Sequence, residues 1–200
     1  DVTFLGAGGS GRAFGGAGSI VGVGFCLKPM DPPCPSDRFN HDCQFLETLP
    51  HSGTADVPAA CRQCAIREIG TLALQAGAAV YVMTSAKDIL LDVFAPALDE
   101  GRFTAGLFAL CRYSLRPFAG GLLAGGVRGW MFPFEKGDCR DYPTWLRADR
   151  GTKEERTELA PPNRSAIREH LRAAAQAAPP AAGFEKRGHV LYPRAADEAR

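Results

Sequence analysis

Nowhere in this chain do eighteen or so apolar residues run together, the length a membrane-spanning helix requires. Charge of one sign is also scarce: the formal net charge is only +1. No long-range field therefore draws the chain to nucleic acid or to an acidic membrane surface, and the strongly basic face of a nucleic-acid binder is missing. The chain begins at Asp1, and its opening residues lack the basic-then-apolar pattern of a signal peptide. These absences lead us to expect a soluble, cytoplasmic protein with no nucleic-acid partner and no membrane span. Ser85 comes after an apolar strand-like run, but "MTSAKD" has no G-x-S-x-G elbow. A P-loop, paired carboxylates in a shared apolar setting and any internal repeat are absent as well.

What is plentiful is cysteine. The 200 residues, 46% hydrophobic and 22% charged, suit one ordinary globular domain with a real core. Such a domain has little need of disulfide staples, yet it carries Cys26, Cys34, Cys43, Cys61, Cys64, Cys111 and Cys139. An odd count leaves one thiol over from any closed disulfide framework. In a reducing compartment, so many cysteines point to metal ligands or catalysis.

Along the chain, Gly6, Gly8 and Gly11 match G-x-G-x-x-G behind "VTFL", but more glycines stand where the dinucleotide fingerprint needs a helix. Residues 1–18 therefore read as a glycine-rich lead-in. "SIVGVGFC" (19–26) reads as a buried strand ending at Cys26. Residues 27–53, rich in Pro, Asp, Asn and His, read as a long loop, a feature usually functional or held by ligands. A helix is expected over 58–75, capped by Asp56 or Thr54, with Ile66, Ile69, Leu72 and Ala73 as its core stripe. "AAVYVM" (78–83), "FTAGLFALC" (103–111) and "VRGWMF" (127–132) read as strands. Helical stretches, "SAKDILLDVFAPAL" (85–98) and "RPFAGGLLAGG" (116–126), separate them. Continuous apolar strands imply an open, mostly parallel α/β sheet with helices on both faces. Residues 19–142 form this cysteine-rich domain. Residues 143–200 read as a helix (163–178, capped by Asn163) and an extended C-terminal arm against the domain or a partner, a route to oligomers.

In such a sheet the strands' carboxyl ends share one edge, where ligand sites sit. Cys26 and Cys111 come directly after strands, and Cys139 lies in the loop after another. Cys61 and Cys64 open the helix that leads into "AAVYVM", and a helix amino terminus lowers thiol pKa values and readies thiolates for metal. Five thiols thus converge on one rim, and the loop bearing Cys34 and Cys43 leaves from it.

Structural zinc ordinarily takes two close ligand pairs, and a second CxxC is lacking; His41, two residues before Cys43, is the candidate fourth ligand. A thioredoxin-like dithiol wants its CxxC after a strand, whereas a loop precedes this one. Scattered cysteines with one close pair fit an iron–sulfur cluster, and seven can furnish one Cys₄ cluster and three ligands of a second. Arg62, Arg112 and Arg140 each adjoin a candidate ligand and can offset cluster charge.

The order "FCLKPMDPPCP … C … CRQCAIREIGTLALQAGAAVYVMTSAKDIL … LFALC … FPFEKGDC" resembles the prokaryotic cysteine-rich family filed as domain of unknown function 116. The resemblance spans roughly residues 19–142 and lands on all seven cysteines. It implies a predicted iron–sulfur protein with no settled reaction. We therefore expect one or two clusters, [4Fe-4S] in type, serving electron transfer or a redox reaction with a partner protein. Two other readings stay open. One is an enzyme whose three-cysteine cluster leaves an iron site for substrate; the other is a zinc-stabilised interaction module.

Overall fold

Strand β2, Ser19–Gly24, sets the organisation, because successive residues along it face opposite sides of one sheet. The computed structural model describes residues 3–5, 14–48, 57–178 and 183–194. The glycine fingerprint at 6, 8 and 11 and the expected caps Thr54 and Asp56 lie outside them. The other strands are β1 (Thr3–Leu5), β3 (Ala79–Met83), β4 (Ala105–Leu110), β5 (Arg128–Lys136), β6 (Glu158–Leu159), β7 (Gly183–Arg187) and β8 (Val190–Arg194). The helices are α1 (Gln44–Thr48), α2 (Ala65–Gln75), α3 (Ala86–Ile89), α4 (Ala95–Glu100), α5 (Leu115–Ala124), α6 (Tyr142–Asp149) and α7 (Pro161–Ala177). A π turn at Leu90–Phe94 joins α3 to α4 in one continuous rod.

The sheet runs β1-β5-β4-β2-β3-β8-β7, with β6 on β5. Its centre, β5-β4-β2-β3, is parallel. Its flanks are antiparallel, so the expected mostly parallel sheet is in fact mixed. The flanking strands escape a periodicity reading because they are short or polar: β7 is "GFEKR".

Burial tracks the strand period. Val21, Val23, Val80, Val82, Leu107 and Ala109 face α2 and α7. Ile20, Tyr81, Met83, Phe108 and Leu110 face the α3–α4 rod and α5. Helices thus cover both faces. Gly22 is required on the second face, since a Cβ there would come within 2.6 Å of the Phe108 ring.

The connection from β2 through α2 lays β3 on one side of β2; the next crossover, through α3 and α4, lays β4 on the other. The chain therefore reverses its winding between β2 and β4, and a crevice opens at the carboxyl ends of that pair.

Several boundaries differ from the sequence reading. The helix expected from 58 begins at Ala65, with Cys64 extended as its N-cap and a short 3₁₀ turn over Ala59–Cys61 before it. α7 begins at Pro161, not at an Asn163 cap; Asn163 is buried and its amide donates to the Pro133 carbonyl at 3.1 Å. The arm expected after that helix is, over its described residues, a hairpin, β7–β8, whose second strand pairs with β3. No helix among the described residues is long and apolar enough to cross a membrane.

Candidate functional site at the carboxyl edge

Three neighbouring parallel strands each end in a thiol. Cys26 lies in the 3₁₀ turn after β2, Cys111 comes directly after β4, and Cys139 lies just beyond β5. All three line one apolar cavity of about 450 Å³ over the winding reversal. The turn that delivers Cys139 depends on Gly137, at φ +60°, where a Cβ would meet the Arg156 carbonyl at 2.1 Å. Asp138 is buried beside it and accepts from the Arg112 backbone N–H and guanidinium, both at 2.9 Å, fastening the Cys111 turn to the Cys139 turn.

The other four thiols, Cys34, Cys43, Cys61 and Cys64, all lie on the single connection between β2 and α2. Their charges reach one another: Cys43 feels Cys64, Cys34 and Cys61, and Cys61 feels Cys64 and Cys34. Cys26, Cys111 and Cys139 interact in the same way among themselves. The seven cysteines thus divide into a set of four and a set of three, all free thiols in this structure.

Burial dominates their chemistry. It raises Cys26, Cys61 and Cys64, and it pushes Cys43 up to about 12. The lowered pKa expected for Cys61 and Cys64 is therefore overturned. Backbone N–H groups of Ile66 and Arg67 do favour the Cys64 thiolate, but loss of solvent outweighs them. Cys111 is the exception: the Cys139 thiol supports its thiolate, and the Ser114 hydroxyl lies 2.9 Å from its sulfur. Cys139 is correspondingly raised.

Each thiol set faces a lysine that is only 1% exposed. The Lys28 ammonium donates to the Asp37 and Asn40 carbonyls at 2.8 and 3.0 Å and to Asn40 Oδ1 at 2.5 Å, and it feels Cys34 and Cys43. Lys153 donates to the Gly137 carbonyl and to Thr157 Oγ1, and its charge favours thiolates at Cys26 and Cys139. Among the described residues, lysine ion pairs belong to Lys136 and Lys186, not to these two. A buried ammonium is costly unless anions face it; Lys28 also feels the carboxylates of Asp42 and Asp37, though neither is close enough to pair with it.

The sequence reading missed both lysines and assigned charge compensation to Arg62, Arg112 and Arg140. Arg62 and Arg140 are exposed, and Arg112 is engaged by Asp138. Lys28 left one trace: it lies in "FCLKPM", an apolar run where a solvated lysine is out of place. Lys153 left none, because "RGTKEER" looks like a solvated charged stretch.

His41 is drawn elsewhere. Its Nδ1 is 2.8 Å from the Val82 carbonyl, and its Nε2 is 2.9 Å from Thr84 Oγ1. One atom each from His41, Asp92 and His189 lie within 4.8 Å of one another. The two imidazoles, however, stack at 3.9 Å with planes 12° apart, so their lone pairs run side by side and do not converge on an ion. Tyr81 continues the column at 5.4 Å from His41. No three thiols among the described residues gather as closely as 4.8 Å. Four sulfurs around one zinc, each about 2.3 Å from it, would be closer than that. No family model, curated protein or solved structure matches the chain.

Proposed function

We propose that this is an iron–sulfur protein serving electron transfer or a redox reaction, with Cys34, Cys43, Cys61 and Cys64 holding one cluster. Cys26, Cys111 and Cys139 hold a second, one of whose irons has no cysteine. The resemblance to the cysteine-rich family supports this reading and makes membership of it part of the proposal. The observation that carries the proposal is the pair of buried lysines, each facing one thiol set and neither ion-paired to a carboxylate. A thiolate-bound cluster is an anion whose charge such lysines would offset, and it takes up or releases one electron. The three-thiol set opens on an apolar cavity, which favours a substrate site there over a second closed electron carrier.

Anaerobic purification with iron, zinc and acid-labile sulfide analysis tests the reading. Iron and sulfide should appear in equal amounts. Cys61→Ala or Cys34→Ala should remove one portion, Cys111→Ala the other, and each single variant should leave the other portion in place. Zinc without sulfide, or cysteine variants that retain their full iron, would overturn it.

A further inference from the structure

The cavity over Cys26, Cys111 and Cys139 has an aromatic wall made by Phe94, Phe118, Tyr113 and Trp145. Phe94 enters it from the end of the π turn, an irregularity that recurs at functional sites, and packs edge-on to Phe118 at 5.1 Å. Apolar walls of this volume suit the body of a small ring-bearing or aliphatic molecule.

Tyr113 has a second role. It also lines a neighbouring open cleft together with Arg112, Glu135 and Arg140. Its backbone N–H donates to the Cys139 carbonyl at 3.3 Å, which fixes it between the two hollows. Within the cleft two guanidiniums, Arg112 and Arg140, stand beside one carboxylate, Glu135. Asp138 takes one edge of Arg112, while Arg140 forms no ion pair with an acid among the described residues. Glu135 in the same cleft opposes a dianion such as phosphate more strongly than it opposes a single negative charge.

We propose that the three-thiol site binds a small monocarboxylic acid, its apolar body in the aromatic cavity and its carboxylate beyond Tyr113 on Arg140. A guanidinium suits a carboxylate through paired N–H donors, and the cavity excludes water from the rest of the molecule. The inference rests on the redox reading for what the ligand does there, but not for its binding.

Calorimetric titration of the anaerobically purified protein with phenylalkanoates, from phenylacetate to phenylhexanoate, each beside its primary amide, tests it. One chain length should bind best, and its amide should bind about tenfold more weakly for want of the charge. Arg140→Gln, an exposed change, should weaken the acid to the level of the amide and leave the amide unaffected. The acid should also alter the electron paramagnetic resonance spectrum of the reduced protein at concentrations about tenfold below those at which the amide does, because both carry the same apolar body beside the thiols. Equal binding of acid and amide, or no binding by any member, would overturn the inference. Iron and sulfide analysis of the same preparation keeps the two ideas apart. Selective acid binding without a cluster sinks the redox reading and sustains this one, and a full cluster with no preference for the acid does the reverse.

Discussion

Lys28 shows how a single side chain links folding to function. Its ammonium gathers three oxygens from the Asp37–Asn40 stretch, so it pins the cysteine-bearing connection from within. Burial lowers its pKa, and the thiols of Cys34 and Cys43 oppose that shift. Lys28→Met keeps the methylene stem, removes the charge and takes the ammonium donor from the Asp37 and Asn40 carbonyls, while Asn40 Oδ1 keeps the Asp42 N–H. We expect a loss of about 3 kcal/mol in denaturant unfolding. For the cluster proposed on the four cysteines, we also expect the reduction potential to become more negative, because a nearby positive charge favours the added electron. Potentiometric titration separates the two roles: a purely structural lysine would change stability and leave the potential where it was. The lysine fell outside the sequence reading because its partners are oxygens of Asp37 and Asn40, nine and twelve residues away and mostly backbone, and no local pattern encodes them.

At the level of elements, α2 and α7 are joined by packing and by one acid. Ile66, Ile69 and Ala73 of α2 share a core with Ile167, Leu171 and Ala174 of α7. At its margin Glu68 accepts from Arg164 and Arg168, each at 2.7 Å. Burial alone would raise the Glu68 pKa, but the two guanidiniums outweigh it and the net shift is downward. A folded pKa below the unfolded value of about 4.3 means that the clasp contributes fully above that pH and is lost as pH falls through the lowered value. Glu68→Gln should cost about 1 kcal/mol at neutral pH, since the group is part-exposed. Its deficit against the parent protein should shrink in acid, as read from urea midpoints across pH. A constant deficit would mean that the amide disturbs packing, not charge.

These two helices were both legible, because their apolar stripes recur at helical spacing. The start of α2 was not, because an extended Cys64 breaks the pattern that Pro58 and Cys61 begin. α6 escapes a periodicity reading although its sequence carries a start signal: Asp141 accepts from the Thr144 N–H at 2.8 Å and Pro143 sits in the first turn. The stretch it opens buries no residue, so no apolar stripe marks it.

Over the whole molecule, the C-terminal hairpin extends the sheet beyond β3 and reaches the candidate site. Val190 and Leu191 are buried where β8 pairs with β3. From β7, Lys186 donates to Asp42 at 2.5 Å and Glu47 at 2.9 Å, on either side of Cys43. Lys186→Ala should cost under about 1 kcal/mol globally, since both pairs are part-exposed. It should nonetheless speed amide hydrogen exchange in residues 40–48 well beyond that of the sheet. Unchanged exchange there would show that the hairpin does not steady the thiol loop.

The sequence by itself determined the buried central strands, because their apolar residues run without interruption. It also determined that thiols stand at strand ends, because a cysteine comes directly after the apolar run at Cys26 and Cys111. Only the tertiary structure decided which thiols keep company. Strand order is a property of long-range pairing, and laying β4 and β5 on one side of β2 is what draws Cys111 and Cys139 to Cys26. The remaining four stay together on one connection, and each set meets its lysine only once the chain has closed around it.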